Sequence, residues 1–155
     1  YKVGPFLKRA GQKMGRKRLD HLTLRQRSVQ MSLIKGKNTK PELAVRRVAH
    51  ALGYRYRLHK RDLPGCPDLT FRRLKKVIFV NGCFWHRHIG CSRCRLPKTR
   101  IRFWRTKLEG NRQRDLKNQR LLMEQGWKLL VIWECETEDV TLLERIIRSF
   151  LEDRT

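Results

Sequence analysis

Acidic residues are scarce in this chain: 14 Asp and Glu stand against 38 Lys and Arg in 155 residues, a formal net charge of +24. An acidic partner is implied, with nucleic acid the first candidate; a ribosomal-type RNA or an anionic membrane surface fits the charge equally well. Long apolar runs are missing too. The longest, Lys128–Trp133 and Lys76–Val80, are strand-sized and far short of the roughly 20 residues a membrane helix needs. The N-terminal segment carries charge but no apolar stretch, so no secretory signal is expected. Cysteines number five, and an odd count without a secretory signal argues against a disulfide framework. There is no internal repeat. What the chain does have is 39% hydrophobic residues, with four Trp and six Phe. That excludes a wholly disordered basic protein, and the length suits one domain with a real core.

Residues 1–22 hold seven Lys/Arg against Asp20, with interspersed Gly. They are expected to form a mobile basic arm lying along phosphates, or else a plain solubilising tail. The remainder, 23–155, is expected to be one domain. A short helix is predicted over Leu24–Ile34, broken by Gly36-Lys37-Asn38. Thr39-Lys40-Pro41-Glu42 has the form of a capping box, with Thr39 capping the free amides and Glu42 reaching back. The helix behind it buries Ala44, Val45, Val48, Ala49 and Leu52, and Gly53 ends it. Tyr54–Leu58 alternates as a strand, His59–Pro67 is a turn-rich loop, and Asp68–Arg73 with Lys76–Val80 forms a hairpin. An irregular stretch runs from Asn81 to Pro97. A long helix over Ile101–Gln125, a buried strand over Trp127–Trp133 and a final helix over Val140–Leu151 follow. The fold class is therefore α/β: a mixed sheet flanked by helices, in the order α-α-β-β-β-α-β-α.

Most of the soft ligands crowd into Cys83-Phe84-Trp85-His86-Arg87-His88-Ile89-Gly90-Cys91-Ser92-Arg93-Cys94. A loop with donors two to four residues apart folds round a single tetrahedral zinc. Two ligand sets compete: Cys83, His88, Cys91 and Cys94, or the same set with Cys135 in place of Cys94. With four protein ligands such an ion keeps no open position, so its role is structural. The bland alternative is reduced cysteines packed as small hydrophobes. Elsewhere, Pro67-Asp68 begins a strand of the hairpin, where a carboxylate holds a divalent ion at a sheet's edge or simply serves a turn. Glu42, in the first turn of a helix expected to pack on this sheet, offers a second oxygen. His86, left over from the zinc set, is placed to take a proton from water. Mg²⁺ prefers few carboxylates, several waters and phosphate oxygens, which suits phosphodiester chemistry.

Met31…Ile34, Asn38-Thr39-Lys40-Pro41-Glu42-Leu43, Pro67-Asp68, Phe79-Val80-Asn81-Gly82-Cys83-Phe84-Trp85-His86, Phe103-Trp104, Asn111…Arg114-Asp115, Gly126-Trp127 and Trp133-Glu134-Cys135 resemble, in order and spacing, the motifs of the very short patch repair endonucleases. The resemblance covers roughly Arg25 to Leu151. It implies a restriction-endonuclease-like fold with a structural zinc. The implied activity nicks one strand of double-stranded DNA on the 5′ side of the T of a T·G mismatch left by deamination of 5-methylcytosine, opening very short patch repair. It further implies Asp68 as the central Mg²⁺ ligand, with the Val80 backbone carbonyl beside it, His86 as general base and Glu42 in support. Cys83, His88, Cys91 and Cys135 would hold zinc, leaving Cys94 spare. Phe84, Trp85 and Trp104 would intercalate from the major groove and Met31 from the minor groove, while Lys107 and Asn111 would read the mispaired bases. A monomer is implied, acting in the bacterial cytoplasm on nucleoid DNA ahead of downstream repair proteins, with no membrane partner.

Adjacent Phe84 and Trp85 cannot both face one core if their segment is extended, which favours an exposed role for at least one. The chain also departs from the family's pattern. Val80-Asn81 stands where Thr-His is usual before Gly-Cys, Cys66 where Arg is frequent, and the zinc loop is one residue longer between His86 and Cys91. Two other functions remain open on the residues: a restriction-type or transposon-end nuclease acting on paired duplex, and a zinc-stabilised DNA-binding module without catalysis.

Overall fold

The computed structural model describes residues 36–153 together with Thr23, Arg25, Gln26 and Val29. The basic arm over 1–22, most of the predicted helix Leu24–Ile34, and Met31 lie outside the described residues. The chain divides into two units, Tyr1–Ile34 and Lys35–Thr155, and the elements below belong to the second.

The capping box forms as its spacing predicts. The Thr39 side chain accepts from the Glu42 amide while the Glu42 carboxylate receives the Thr39 amide, opening helix α1, Lys40–Ala51. Strands β1 (Arg57–Leu58), β2 (Leu69–Phe71) and β3 (Lys76–Asn81) run antiparallel in sequence, and β4 (Lys128–Trp133) adds parallel to β3. A parallel pair needs a crossover. Helix α2, Ile101–Glu124, supplies it, and helix α3, Val140–Glu152, completes the mixed α/β architecture.

Period-two alternation sorts the strand residues between two layers of helix. Ile78 and Ile132 point with Leu69 and Phe71 into a core shared with Val45, Val48 and Ala49 of α1 and Leu143, Ile147 and Leu151 of α3. Val77 points the other way, against Leu63 and Leu122 of α2. Burying each large aliphatic side chain contributes roughly 1.5–3 kcal/mol, so this double-sided packing explains why β3 and β4 read as near-continuous apolar runs. Lys76 is charged yet only 3% exposed, and it donates from Nζ to the carbonyls of Phe150 and Leu151 at 2.7 and 3.2 Å, satisfying the end of α3.

The predicted strand Tyr54–Leu58 is shorter than its alternation suggested. Only Arg57 and Leu58 enter the ladder, because β2 turns into a 3₁₀ segment at Arg72 and offers nothing further to pair with. Tyr54 and Tyr56 instead set their rings edge-on to Phe71, at centroid distances of 6.2 and 5.9 Å. No helix among the described residues is long and apolar enough to cross a membrane.

Candidate active site

Asp68, at the residue before β2, reaches across the hairpin so that its Oδ2 accepts the Val80 amide at 2.7 Å. Glu42 comes from the first turn of α1, His59 from the turn after β1, and His86 from the turn after β3. They line one cavity of about 290 Å³ with Asn81 and Asp115. The donor atoms of Glu42, His59 and Asp68 all lie within 4.8 Å of one another, a group able to hold a metal ion. Gly65 closes one wall at φ +74°, where a Cβ would meet Asn118 Cβ at 3.1 Å and the Phe79 ring at 3.2 Å. A side chain there is both strained and crowded.

The two carboxylates differ. Glu42 is 4% exposed and fully engaged: Oε1 accepts from Thr39 Oγ1 at 2.9 Å, and Oε2 from the Asn38 amide at 3.0 Å and Arg46 Nη2 at 2.9 Å. Its carboxylate is part of the helix cap as much as of the cavity. Asp68 has one hydrogen bond. Burial, relieved in part by the Val80 amide and reinforced by the negative charge of Glu42, pushes its carboxyl from the ordinary 3.8 up to about 6. A partly buried carboxylate whose charge is disfavoured in this way, with Arg46 and His86 offsetting burial only in part, fits a cation site.

His86 is held by a partner on α2: its Nδ1 lies 2.6 Å from Asp115 Oδ2. A carboxylate only accepts, so Nδ1 carries a proton, and in the neutral ring the lone pair falls on Nε2. That is the state a proton acceptor needs.

A second donor cluster stands apart from this cavity. Cys83, His88, Cys91 and Cys135 bring their ligand atoms within 4.8 Å of one another, and Cys94 is not a member of that group. His88 Nδ1 sits 3.5 Å from Cys83 Sγ and 3.4 Å from Cys135 Sγ. Tetrahedral zinc with bonds near 2.0–2.3 Å demands S–N edges of about 3.5 Å, so the donor set fits that ion. Burial pushes the Cys83 thiol up to about 12 and raises Cys135 as well, whereas the Arg93 backbone amide draws Cys91 down. The His88 ring is clamped by Trp133, stacked at 4.2 Å and nearly parallel.

The aromatic residues form a third feature. Residues 83–87 are a turn, with His86 N–H on the Gly82 carbonyl and His88 N–H on the Cys83 carbonyl. The segment is not extended, so Phe84 and Trp85 face the same neighbours after all. Their centroids are 5.1 Å apart, and Trp104 lies 5.4 and 6.0 Å from them. Trp104 is buried, whereas Phe103, 5.3 Å from it, is 45% exposed. Lys107 Nζ hovers over both the Trp85 and Phe103 rings, at 5.9 and 5.8 Å. Asn111 Nδ2 donates to the Trp85 carbonyl at 3.1 Å.

Two site residues escaped the reading of the sequence alone. His59 looked like one polar residue in a turn. Asp115 sat within a quoted motif but received no role. A signal for Asp115 exists: Trp104, Leu108 and Leu122 mark the buried stripe of α2, and Asn111, Asp115 and Asn118 interrupt that stripe with polar groups. Polar residues on a helix's buried face have partners to find.

A sheet carrying a partly buried carboxylate, a carboxylate-oriented histidine and a strongly basic chain is the equipment of a phosphodiester-cleaving enzyme. The comparisons with known proteins narrow the class. Residues 19–93 match the family model described as DNA mismatch endonuclease Vsr. The chain is 45% identical over 133 residues to the type II nicking enzyme V.XorIIP of Xanthomonas oryzae pv. oryzae, covering 86% of this chain and 97% of that one. It is 38% identical over 134 residues to the type II nicking enzyme V.NmeAIP of Neisseria meningitidis (84% and 95%), and 35% identical over 126 residues to the DNA mismatch endonuclease Vsr of Escherichia coli (77% and 80%). The chain belongs to the Vsr family of DNA mismatch endonucleases and is itself a DNA endonuclease.

Proposed function

We propose that this protein is a Mg²⁺-dependent endonuclease that nicks one strand of duplex DNA 5′ to the T of a T·G mispair, on a restriction-endonuclease-like fold. The observation carrying this reading is the convergence of Asp68 and the Asp115-held His86 on one cavity. Asp68, with the Val80 carbonyl and support from Glu42, would hold Mg²⁺, which supplies charge neutralisation at the scissile phosphate and acidifies a bound water. His86 Nε2 accepts the proton of the attacking water, and Asp115 stabilises the imidazolium that results. Cys83, His88, Cys91 and Cys135 would hold Zn²⁺, tying the turn that carries Phe84, Trp85 and His86 to the residue after β4.

A T·G wobble pair stacks poorly, so opening the step beside it costs less than the few kcal/mol of an ordinary step. Phe84, Trp85 and Trp104, with Met31 from the opposite groove, would recover about 1–3 kcal/mol of stacking per base. The Lys107 ammonium, Asn111 amide and exposed Phe103 ring border the same patch, suiting them to read or flank the mispair. The nick would hand a 3′-hydroxyl to downstream repair proteins, and the enzyme would work as a monomer on DNA inside the cell.

The test is a panel of 5′-labelled duplexes carrying each mismatch or none, incubated with and without Mg²⁺. The expected result is a nick on the T strand of T·G duplex alone, lost in Asp68→Ala and His86→Ala while binding survives. Equal cutting of fully paired duplex would overturn mismatch specificity; wild-type rates in both variants would overturn the active-site assignment.

A further inference from the structure

His59 is the member of the cavity group that neither motif nor resemblance assigns. Its surroundings define which of its nitrogens carries the proton. Arg46 Nη2 has two N–H bonds: one goes to Glu42 Oε2 at 2.9 Å, and the other faces His59 Nε2 at 3.0 Å. A guanidinium donates and never accepts, so His59 Nε2 must present a lone pair, and the ring's single proton falls on Nδ1. Nδ1 in turn lies 3.7 Å from Asp68 Oδ1. The backbone at His59 is left-handed, φ +44°, a conformation uncommon for a side-chain-bearing residue and retained only where its surroundings demand it. Arg46 is itself anchored, donating from Nη1 to Asn38 Oδ1 at 2.7 Å.

Resting on the Mg²⁺ nuclease reading above, we infer that His59 is a positioning residue for the cation site: Arg46 holds it as the Nδ1–H tautomer, and that N–H faces Asp68 Oδ1 while the Val80 amide holds Oδ2. The Val80 amide fixes Oδ2 by a hydrogen bond at 2.7 Å, and the His59 N–H, 3.7 Å from Oδ1 and so beyond hydrogen-bond length, biases that oxygen's orientation electrostatically. The lone pairs left over face the cavity, where an ion would meet them. Arg46 thereby acts on the site through Glu42 and through His59 together. His59 is not a ligand in this arrangement, because one nitrogen is taken by Arg46 and the other carries a proton. The same orienting role falls to partners behind the ligands of many metal centres, whose loss weakens metal affinity about 10–100-fold.

The first test needs neither metal nor substrate. In wild-type protein with ¹⁵N-labelled histidine, long-range ¹H–¹⁵N correlation spectra report the tautomer of each neutral imidazole, and His59→Asn identifies the signal. The expected result is Nδ1 protonated and Nε2 bare; an Nε2-protonated His59 overturns the inference. The second test is calorimetric titration of Mg²⁺ into variants of matched melting temperature. An asparagine amide places an N–H where Nδ1 was, whereas a glutamine amide reaches the Nε2 position. His59→Asn should keep affinity within about twofold of wild type, while His59→Ala and His59→Gln lose about tenfold. Equal losses in all three overturn the orienting role. Failure of the nuclease reading shows differently, as undiminished cutting by Asp68→Ala, and leaves the tautomer result standing.

Discussion

The two donor clusters of this protein obey opposite rules. Cys83, His88, Cys91 and Cys135 offer three sulfurs and one nitrogen, all turned toward one point, with the imidazole clamped on Trp133. Glu42 and Asp68 offer hard oxygens and His59 an imidazole nitrogen at similar separations, yet Glu42 is occupied by its helix cap, His59 by Arg46, and only Asp68 has capacity to spare. One cluster is complete without anything from solution except its ion. The other is left half-coordinated beside a cavity and a proton acceptor. A closed, soft site suits architecture and an open, hard site suits chemistry. Equal donor spacing alone does not tell them apart; what already occupies each donor does.

The contrast breaks most sharply at Asp68 and His86. Alanine at either should lower the nicking rate by about 10³-fold or more while leaving the metal content of the sulfur cluster unchanged, as checked by single-turnover gels and elemental analysis. Cys83→Ser or Cys135→Ser should do the reverse, removing the bound zinc and unfolding the turn, because structural zinc contributes about 10–16 kcal/mol to such sites. Cys94→Ser should retain one zinc per chain; loss of zinc there would show that the wrong fourth ligand had been assigned.

Smaller, and opposite in sign, is Asp68→Asn. The folded-state value of Asp68 is raised from 3.8 to about 6. Below both values the carboxyl is protonated in either state and costs nothing. As pH rises from about 4 through 6 the unfolded chain releases the proton first, so the cation-free fold loses stability, by about 3 kcal/mol once pH exceeds 6. Asparagine keeps an acceptor for the Val80 amide and removes the charge. The variant should therefore melt higher than wild type at pH 7.5 without Mg²⁺, with the gap vanishing near pH 4. A lower melting temperature at neutral pH would place the strain elsewhere. Asp115→Asn should cost about 10²-fold in rate with little change in stability, since it leaves His86 in place without its orienting charge.

Much of this was legible beforehand. The capping box, the hairpin, the long helix and the buried fourth strand follow from local spacing and apolar runs, as do the sulfur donors and the candidates Asp68, Glu42 and His86. Local pattern failed where the partner is distant. His59 and Asp115 come to the cavity from residues 27 and 29 positions away from His86, on a turn and a helix with no motif of their own. The condition attached to Phe84-Trp85, an extended segment, is not met, because the turn from Gly82 to His88 folds both rings onto Trp104.

The scarcity of acidic residues comes back here with more meaning. Of 14 Asp and Glu in a chain of net charge +24, Glu42 and Asp68 are set against the cavity, and Asp115 lies on its wall. Sequence by itself determined the charge, the amphipathic faces and the identities of the reactive groups, because these depend on composition and on neighbours a few residues apart. Only the tertiary structure decided which group holds which. It paired His86 with Asp115, set Arg46 against His59, and gathered Cys135 rather than Cys94 to His88, since each pairing requires segments far apart in the chain to meet at hydrogen-bond range.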